Sequence, residues 1–169
     1  MTRKSLFHFA LVGLLWGIPY LLMKVAVEDF PPAAVVAGRT LIGASILIPI
    51  AIYRKKFGGA VLGFKYVAFY ALMEMIGPWI LITTAEQKIN SGLAGLLVST
   101  VPIFATIITS LRGDHSVWEF KRIFGIVVGF IGLILVVGIE SLSGNSDPVS
   151  IAMVIVASME FAYAVIMVT

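Results

Sequence analysis

The sequence predicts an all-α polytopic membrane protein with six transmembrane helices. Hydrophobic residues make up 60% of the 169 residues, charged residues only 12%, and the mean hydropathy is +1.05. A soluble core of this size could not bury so much apolar surface. The apolar residues form continuous stretches rather than the alternating pattern of a membrane β-barrel. Lipid must therefore cover most of the chain, and helices are the form in which it can cross a bilayer.

Each predicted span is close to the length of about 20 residues that a helix needs to cross a hydrocarbon core. The six spans are Leu6–Val27, Ala33–Tyr53, Tyr66–Thr84, Gly92–Leu111, Ile123–Ile139 and Ser150–Thr169. The first span follows two basic residues, as a signal peptide does. It is longer than such peptides, it contains Lys24, and no small-residue cleavage site precedes a soluble domain, so we interpret it as a retained helix.

The charges predict one orientation in the membrane. Nine of the twelve lysine and arginine residues lie before the first span or in alternate connections: Arg3, Lys4, Arg54, Lys55, Lys56, Lys65, Arg112, Lys121 and Arg122. The opposite connections are acidic, with Glu28, Asp29, Glu86, Glu140 and Asp147 against Lys88. Basic connections stay in the cytoplasm, so we expect a cytoplasmic N-terminus in an inner or plasma membrane. The basic clusters lack interleaved aromatic residues, which argues against nucleic acid as a partner.

Glycine and proline inside the spans predict local departures from straight helices. Pro19, Pro78 and Pro102 lie in spans one, three and four, where each removes a backbone donor and favours a kink that lines a cavity. Small residues spaced four apart, such as Gly13 with Gly17 and Gly125 with Gly129, predict close packing between helices.

Charged residues within the spans are candidates for function. Glu74 and Glu160 lie near the middle of spans three and six, where a carboxylate usually faces protein or water and marks a transport path. Glu74 could carry a proton or pair with a cationic solute; the alternative is a neutral carboxyl hydrogen-bonded to another helix. Lys24 precedes Glu28 by four residues, a spacing that permits an ion pair, and its long side chain can also extend outward to the membrane surface. The role that we expect for Lys24 is structural anchoring.

Arg39 lies about 9 Å inside the second span. Its guanidinium could reach outward to Glu28 or Asp29, or inward to Glu74, where pairing would lower the cost of burying both charges. Aromatic residues also lie well inside the spans rather than at the membrane surface. We predict a pocket for a small organic solute that is lined by Trp16, Tyr20, Glu74, Trp79 and Pro102, with Arg39 as a charge partner.

The motifs of enzymes and metal sites are missing from the sequence. The chain has no cysteine, no HExxH or GxSxG motif and no glycine-rich phosphate loop, and neither His8 nor His115 has a partner at metal-ligand spacing. We therefore expect neither an enzyme nor a cofactor.

Several segments resemble the EamA-type branch of the drug/metabolite transporter superfamily. They are Trp16-Gly17 with Lys24, Pro31-Pro32 leading to Ala37-Gly38-Arg39-Thr40, Asn90 to Gly95 running to Thr100-Val101-Pro102, and the glycine-spaced run from Gly125 to Gly132. Glu74 and Glu86 depart from the resemblance, because these positions are expected to be apolar.

The resemblance implies a fold of two inverted repeats of five helices with the solute site between them. Residues 1–139 would be the first repeat, and residues 140–169 an outer loop and the start of a truncated second repeat. We expect a secondary transporter, or a fragment of one, that exports or exchanges a small organic metabolite by alternating access. Its partners would be the lipid bilayer, the solute, and a second-half chain or a second copy. The alternative is a membrane accessory or structural protein, or a degenerate carrier, that transports nothing.

Overall fold

Helices account for almost all of the part of the chain that the computed structural model describes, which is residues 3–55, 57–137 and 147–168. The α-helices are α1 (Arg3–Asp29), α2 (Pro32–Tyr53), α3 (Phe57–Leu62), α4 (Phe64–Ala71), α5 (Gly77–Ala85), α6 (Ser91–Val98), α7 (Val101–Leu111), α8 (Phe120–Val137) and α9 (Pro148–Met167). A π-helical segment, Leu72–Ile76, joins α4 to α5, and a 3₁₀ turn, His115–Trp118, precedes α8.

Five helical segments in the described part of the chain are long and apolar enough to cross a membrane. They are Lys4–Asp29, Pro32–Tyr53, Phe64–Ala85, Ser91–Leu111 and Pro148–Met167, which match five of the six predicted spans. The predicted span Ile123–Ile139 is helical as far as Val137 within α8, and its last two residues lie outside the described part. The chain is thus an all-α multi-pass membrane protein, and the sixth span stays a prediction.

The last helix, α9, lies at the centre of the bundle. It packs against α5, α6, α7 and the π-helical segment. In its most apolar stretch 39% of the residues are buried, compared with 6% for α2. Small side chains allow this close approach: Ala157 and Ala162 are fully buried, and Ser158 donates hydrogen bonds to the carbonyls of Val154 (2.8 Å) and Leu97 (3.2 Å). The boundary predicted between residues 139 and 140 lies outside the described residues and stays a prediction.

The prolines in the spans have three different effects. Pro19 lies inside the continuous helix α1. Pro102 is in the first turn of α7, after the helical hydrogen bonding is interrupted between Val98 and Val101. Pro78 lies just after the π-helical segment, in which the Gly77 N–H donates to the Leu72 carbonyl five residues earlier. Proline has no N–H for the carbonyl four residues before it, so the backbone is free to widen at this point.

The close packing predicted for the regularly spaced glycines is wrong within the described structure. A Cβ added at Gly13, Gly17, Gly125 or Gly129 would meet no described atom within 4 Å outside its own helix turn. Three of these positions face open grooves: Gly17 lies between α1 and α6, and Gly125 and Gly129 lie between α7 and α8. The glycine at a close helix contact is instead Gly77, where a Cβ would lie 2.6 Å from the Glu160 carboxylate.

Polar caps fix the start of α9 beside the turn between α5 and α6. The Asp147 carboxylate accepts hydrogen bonds from the Ser150 backbone N–H (3.0 Å) and hydroxyl (2.8 Å), and it forms an ion pair with Lys88 (3.5 Å). These contacts lower the pKa of Asp147 below its ordinary value, the hydrogen bonds from Ser150 having the larger effect. The cap therefore holds α9 against the end of α5, which carries part of the site described below.

Candidate functional site

A half-open cavity of about 230 Å³ lies between α1, α2, the π-helical segment, α5 and α9. Its walls are formed by Leu15, Trp16, Pro19, Arg39, Glu74, Met75, Trp79 and Phe161. Four of the six residues predicted to bind solute therefore meet at one cavity: Trp16, Arg39, Glu74 and Trp79. Their role in binding stays a prediction, whereas their proximity is a property of the fold.

The π-helical segment explains how Glu74 and Trp79 come to share this cavity. Residues five apart lie on different faces of an α-helix, which turns once every 3.6 residues. The i→i+5 hydrogen bonding of the Leu72–Ile76 segment makes a wider turn, which brings positions 74 and 79 toward the same face. Such segments are frequent at functional sites.

Arg39 makes a different contact from those predicted. Its guanidinium carbon lies 3.7 Å from the centroid of the Trp79 ring, a cation–π geometry, and one of its nitrogens is 3.6 Å from the Met23 sulfur. In the described part of the chain Arg39 has no carboxylate partner within 4 Å. None of the three carboxylates considered for Arg39, those of Glu28, Asp29 and Glu74, pairs with it in the described structure, where the guanidinium lies on the face of the Trp79 ring instead.

Aromatic side chains form one wall of the cavity around Trp79. The Tyr20 ring lies 5.8 Å from the Trp79 ring, between centroids, and the Phe161 ring lies 6.0 Å away at 76°, in an edge-on arrangement. Tyr20 thus packs against Trp79 and does not itself line the cavity. This aromatic group joins α1, α5 and α9, and it holds the face of Trp79 toward Arg39.

Two carboxyl groups within the spans lack hydrogen-bond partners for one oxygen each. Glu74 Oε2 and Glu160 Oε2 are buried, and no described group donates to either of them. Glu74 faces the cavity, whereas the Glu160 carboxylate lies against Gly77 at the end of the π-helical segment. Buried carboxyl oxygens without a donor are uncommon in folded proteins, and of these two residues Glu74 is the one that lines the cavity.

Pro102 lies apart from this cavity. It lines a larger groove of about 630 Å³ between α7 and α8, together with Ser99, Thr106, Gly125 and Phe130. The groove carries Lys121 and Arg122 at one end. The structure therefore divides the predicted set of site residues between two places, and Pro102 is the member that is separated from the rest.

Lys24 and Glu86 form a second polar cluster near the end of α5. The Lys24 ammonium donates to the backbone carbonyls of Glu86 and Ile89, the latter at 3.1 Å. The ion pair with Glu28 that the spacing permits does not form in the described structure, because unsatisfied carbonyls at a helix end attract the cation. The Glu86 side chain is fully buried, and this burial raises its pKa from 4.5 to about 7 even though Ser91 and Lys24 act in the opposite direction.

Several residues of the site were not predicted. Met75 and Phe161 line the cavity, and Met23 contacts Arg39, but apolar side chains inside apolar spans give no sequence signal. Glu86 did carry a signal, since it is a charged residue where the family resemblance predicts an apolar one. Within the described residues, no group of three or more histidine, aspartate or glutamate side chains is arranged to hold a metal ion.

Comparison with known proteins identifies the family. Residues 3–138 match the model of the EamA-like transporter family. The chain is 32% identical over 133 residues to the uncharacterized transporter YoaV of Bacillus subtilis, covering 78% of this chain and 45% of YoaV. It is 32% identical over 130 residues to the protein PagO of Salmonella typhimurium, covering 74% and 41% respectively.

A third relative is the uncharacterized inner membrane transporter YedA of Escherichia coli, which is 26% identical over 151 residues, or 89% of this chain and 48% of YedA. No solved structure shows a significant match. The chain spans less than half the length of each of these three relatives. Since the family model covers most of the sequence, the chain belongs to the EamA-like transporter family.

Proposed function

We propose that the chain forms the solute-binding wall of a secondary transporter that exports or exchanges a small organic metabolite by alternating access. The transporter would lie in the inner or plasma membrane with its N-terminus in the cytoplasm. The observation that carries this proposal is one cavity that is lined by Arg39 and Glu74 together with aromatic and aliphatic side chains. The Arg39 guanidinium lies on the Trp79 ring in its wall. Charged groups within spans that lack an ion-pair partner in the protein are typical of solute paths.

The chemistry of the cavity favours a solute that carries both an anionic and a cationic group on an apolar body. Arg39 offers N–H donors to an anionic group, and the Glu74 carboxyl, which lines the same cavity, is the acidic group that a cationic one would approach. Leu15, Trp16 and Phe161 provide apolar surface between them. The cavity, with a volume of about 230 Å³, has room for a small molecule.

A matched set of probes tests this proposal directly. Leucine, 4-methylpentanoate and 3-methylbutylamine share an apolar body but carry both charged groups, the carboxylate alone, or the ammonium alone. We expect leucine to raise the melting temperature of the purified protein more than either single-charge analogue. Arg39→Gln should abolish this stabilisation, whereas Arg54→Gln, at an exposed position after α2, should retain it. Equal stabilisation by all three probes would contradict the assigned roles of Arg39 and Glu74.

Transport itself requires a second test, because the relatives are about twice as long as this chain. We propose that a second-half chain or a second copy completes the solute path. Flux of labelled leucine into proteoliposomes should be measured with this chain alone and after adding the C-terminal half of YoaV. Flux in either case supports a carrier. Binding without flux in both cases would favour the accessory role over the transporter.

A further inference from the structure

A second cavity lies beside the one that Glu74 lines, toward the turn that joins α1 to α2. It is half-open and has a volume of about 280 Å³. Among the described residues of its lining Arg39 is the one charged group, and the others are apolar: Pro19, Leu22, Met23, Ala26 and Val35. The cavity lined by Trp16 and Glu74 is called the first cavity below, and this one the second cavity.

The two cavities follow each other along one face of α1. Leu15 and Pro19 line the first cavity. Pro19, Leu22 and Ala26 line the second. Residues spaced four, three and four apart share one face of an α-helix, and these positions cover roughly 16 Å of its axis. Since Pro19 and Arg39 belong to both linings, the second cavity continues the first.

The Arg39 guanidinium lies at the boundary between the two cavities. Its carbon is 3.7 Å from the centroid of the Trp79 ring, which lines the first cavity. Its Nη1 atom is 3.6 Å from the sulfur of Met23, which lines the second cavity. No described carboxylate oxygen lies within 4 Å of the guanidinium. One cationic group is therefore available to an anion in either cavity.

The residues on the two sides of Arg39 are held in place by other helices. Trp79 packs against two neighbouring aromatic rings. Met23 is buried, and its sulfur also accepts a hydrogen bond from the Thr83 hydroxyl at 3.5 Å. A thioether is a weak acceptor, whereas a carboxylate can accept two parallel hydrogen bonds from a guanidinium. A carboxylate in the second cavity would therefore replace a weak contact of Arg39 with a strong one.

The two cavities differ in their acidic groups. Glu74 lines the first cavity, whereas none of the described residues that line the second cavity is acidic. A solute with an ammonium group thus meets an acidic partner only in the first cavity, and burial of an unpaired ammonium is costly. The second cavity therefore suits an apolar carboxylate that has no ammonium group.

We infer that the second cavity is a separate subsite for apolar monocarboxylates, in which the carboxylate binds Arg39 and the hydrocarbon body packs on the apolar lining. Because one guanidinium serves both cavities, an anionic group bound in one cavity excludes an anionic group from the other. This inference rests on the proposed transport function, and it adds a second place of different selectivity along the solute path.

Cysteine protection tests the second cavity directly, since the chain has no cysteine of its own. Ala26→Cys introduces a thiol in the lining of the second cavity, and Val25→Cys introduces one at the exposed neighbouring position. The readout is the rate at which benzyl methanethiosulfonate modifies each thiol in the purified chain. At ten times its dissociation constant, 4-methylpentanoate should slow modification of Ala26→Cys about tenfold, in proportion to the unoccupied fraction. Val25→Cys should be unaffected, and adding Arg39→Gln should abolish the protection.

Stabilisation by two probes separates the two cavities. Ala26→Phe fills the second cavity, so it should remove the rise in melting temperature caused by 4-methylpentanoate and retain the rise caused by leucine. Glu74→Gln should weaken the response to leucine and retain the response to 4-methylpentanoate. Val25→Phe, at an exposed position, should retain both responses. Equal loss of both responses in Ala26→Phe would overturn the assignment of two separate subsites.

The outcomes also separate this inference from the transport proposal. If leucine stabilises the chain but 4-methylpentanoate does not protect Ala26→Cys, the second subsite alone is overturned. Protection of Ala26→Cys without any response to leucine would support the subsite and contradict the solute proposed for the first cavity. If an added phospholipid protects the thiol and 4-methylpentanoate has no further effect, the second cavity holds an acyl chain and the inference is overturned.

Discussion

At the scale of single residues, Lys24 and Glu86 show how charged groups can be buried without facing each other. The Lys24 ammonium satisfies the carbonyls of Glu86 and Ile89 in the turn after α5, where the helix end leaves acceptors unpaired. The Glu86 carboxyl is left without regular donors in the described structure. One side chain therefore stabilises the turn, and the other remains free to titrate.

Replacing Lys24 with methionine should remove both of these hydrogen bonds and leave two carbonyls unsatisfied. We expect unfolding to become easier by about 1.5–3 kcal/mol for loss of hydrogen bonds from a charged donor, measured as a lower melting temperature in detergent. The pKa of Glu86 should rise above about 7, because Lys24 lowers it in the wild type. Lys88→Met is the control, since its exposed ion pair with Asp147 should contribute little. Equal losses in the two variants would contradict this role.

The raised pKa of Glu86 predicts a specific pH dependence of stability. The ordinary carboxyl pKa of 4.5 applies to the unfolded chain, whereas the folded value is about 7. Between these values the folded state holds a proton that the unfolded state has lost, so stability falls as pH rises from 4.5 to 7 and levels off above. Glu86→Gln should lack this component when melting temperatures are compared from pH 4.5 to 8. If the melting temperatures of the two proteins changed in parallel with pH, this would contradict the raised pKa that burial gives Glu86.

At the scale of elements, the π-helical segment and α9 depend on each other. The segment ends at Gly77, and the Glu160 carboxylate of α9 occupies the space where a Cβ would lie. The same segment brings Glu74 and Trp79 toward the cavity. The close contact between α5 and α9 therefore helps to set the geometry of the site.

Gly77→Ala should disturb this contact. The added Cβ would lie 2.6 Å from Glu160 Oε2 and 3.0 Å from the Leu72 carbonyl oxygen, which is backbone and cannot move aside alone. We expect a destabilisation of about 1–3 kcal/mol, as for other overpacked sites, measured by thermal unfolding. Gly13→Ala, where the added Cβ meets open space, should be neutral or slightly stabilising.

A second substitution locates the cause of the Gly77→Ala effect. Glu160→Ala combined with Gly77→Ala should recover part of the lost stability, because the Glu160 carboxylate that the added Cβ would meet is then absent. The contact with the Leu72 carbonyl remains, so full recovery is not expected. A double variant that is as unstable as the sum of the single variants would show that Glu160 is not the obstacle.

At the scale of the whole molecule, the orientation in the membrane is a prediction from charge alone. The chain has no cysteine, so single cysteines can be introduced without a background. Gly58→Cys in α3 and Gln87→Cys after α5 are exposed positions that leave every charge in place. We expect a membrane-impermeant thiol reagent to label Gln87→Cys in intact cells and Gly58→Cys only after permeabilisation. The reverse pattern would contradict the N-in orientation.

The sequence by itself determined the fold class, the family and most of the spans. Hydropathy is a local property, so stretches such as Pro32–Tyr53 and Pro148–Met167 could be recognised as spans without knowledge of their neighbours. Proline acts locally too, which is why the irregular backbone before Pro78 and at Pro102 was expected. Four of the residues selected for the site also meet at one cavity, since charged and aromatic residues inside spans are conspicuous.

Only the tertiary structure decided which of these residues meet, because contacts between helices depend on their rotation and on the side chains packed between them. It placed Arg39 on the face of Trp79 rather than beside a carboxylate, and it directed Lys24 to carbonyls in the turn after α5. It also placed α9 in the centre of the bundle and enclosed Glu86 completely. Burial is set by all the surrounding elements together, and this is why a carboxyl in a predicted connection is enclosed in the structure.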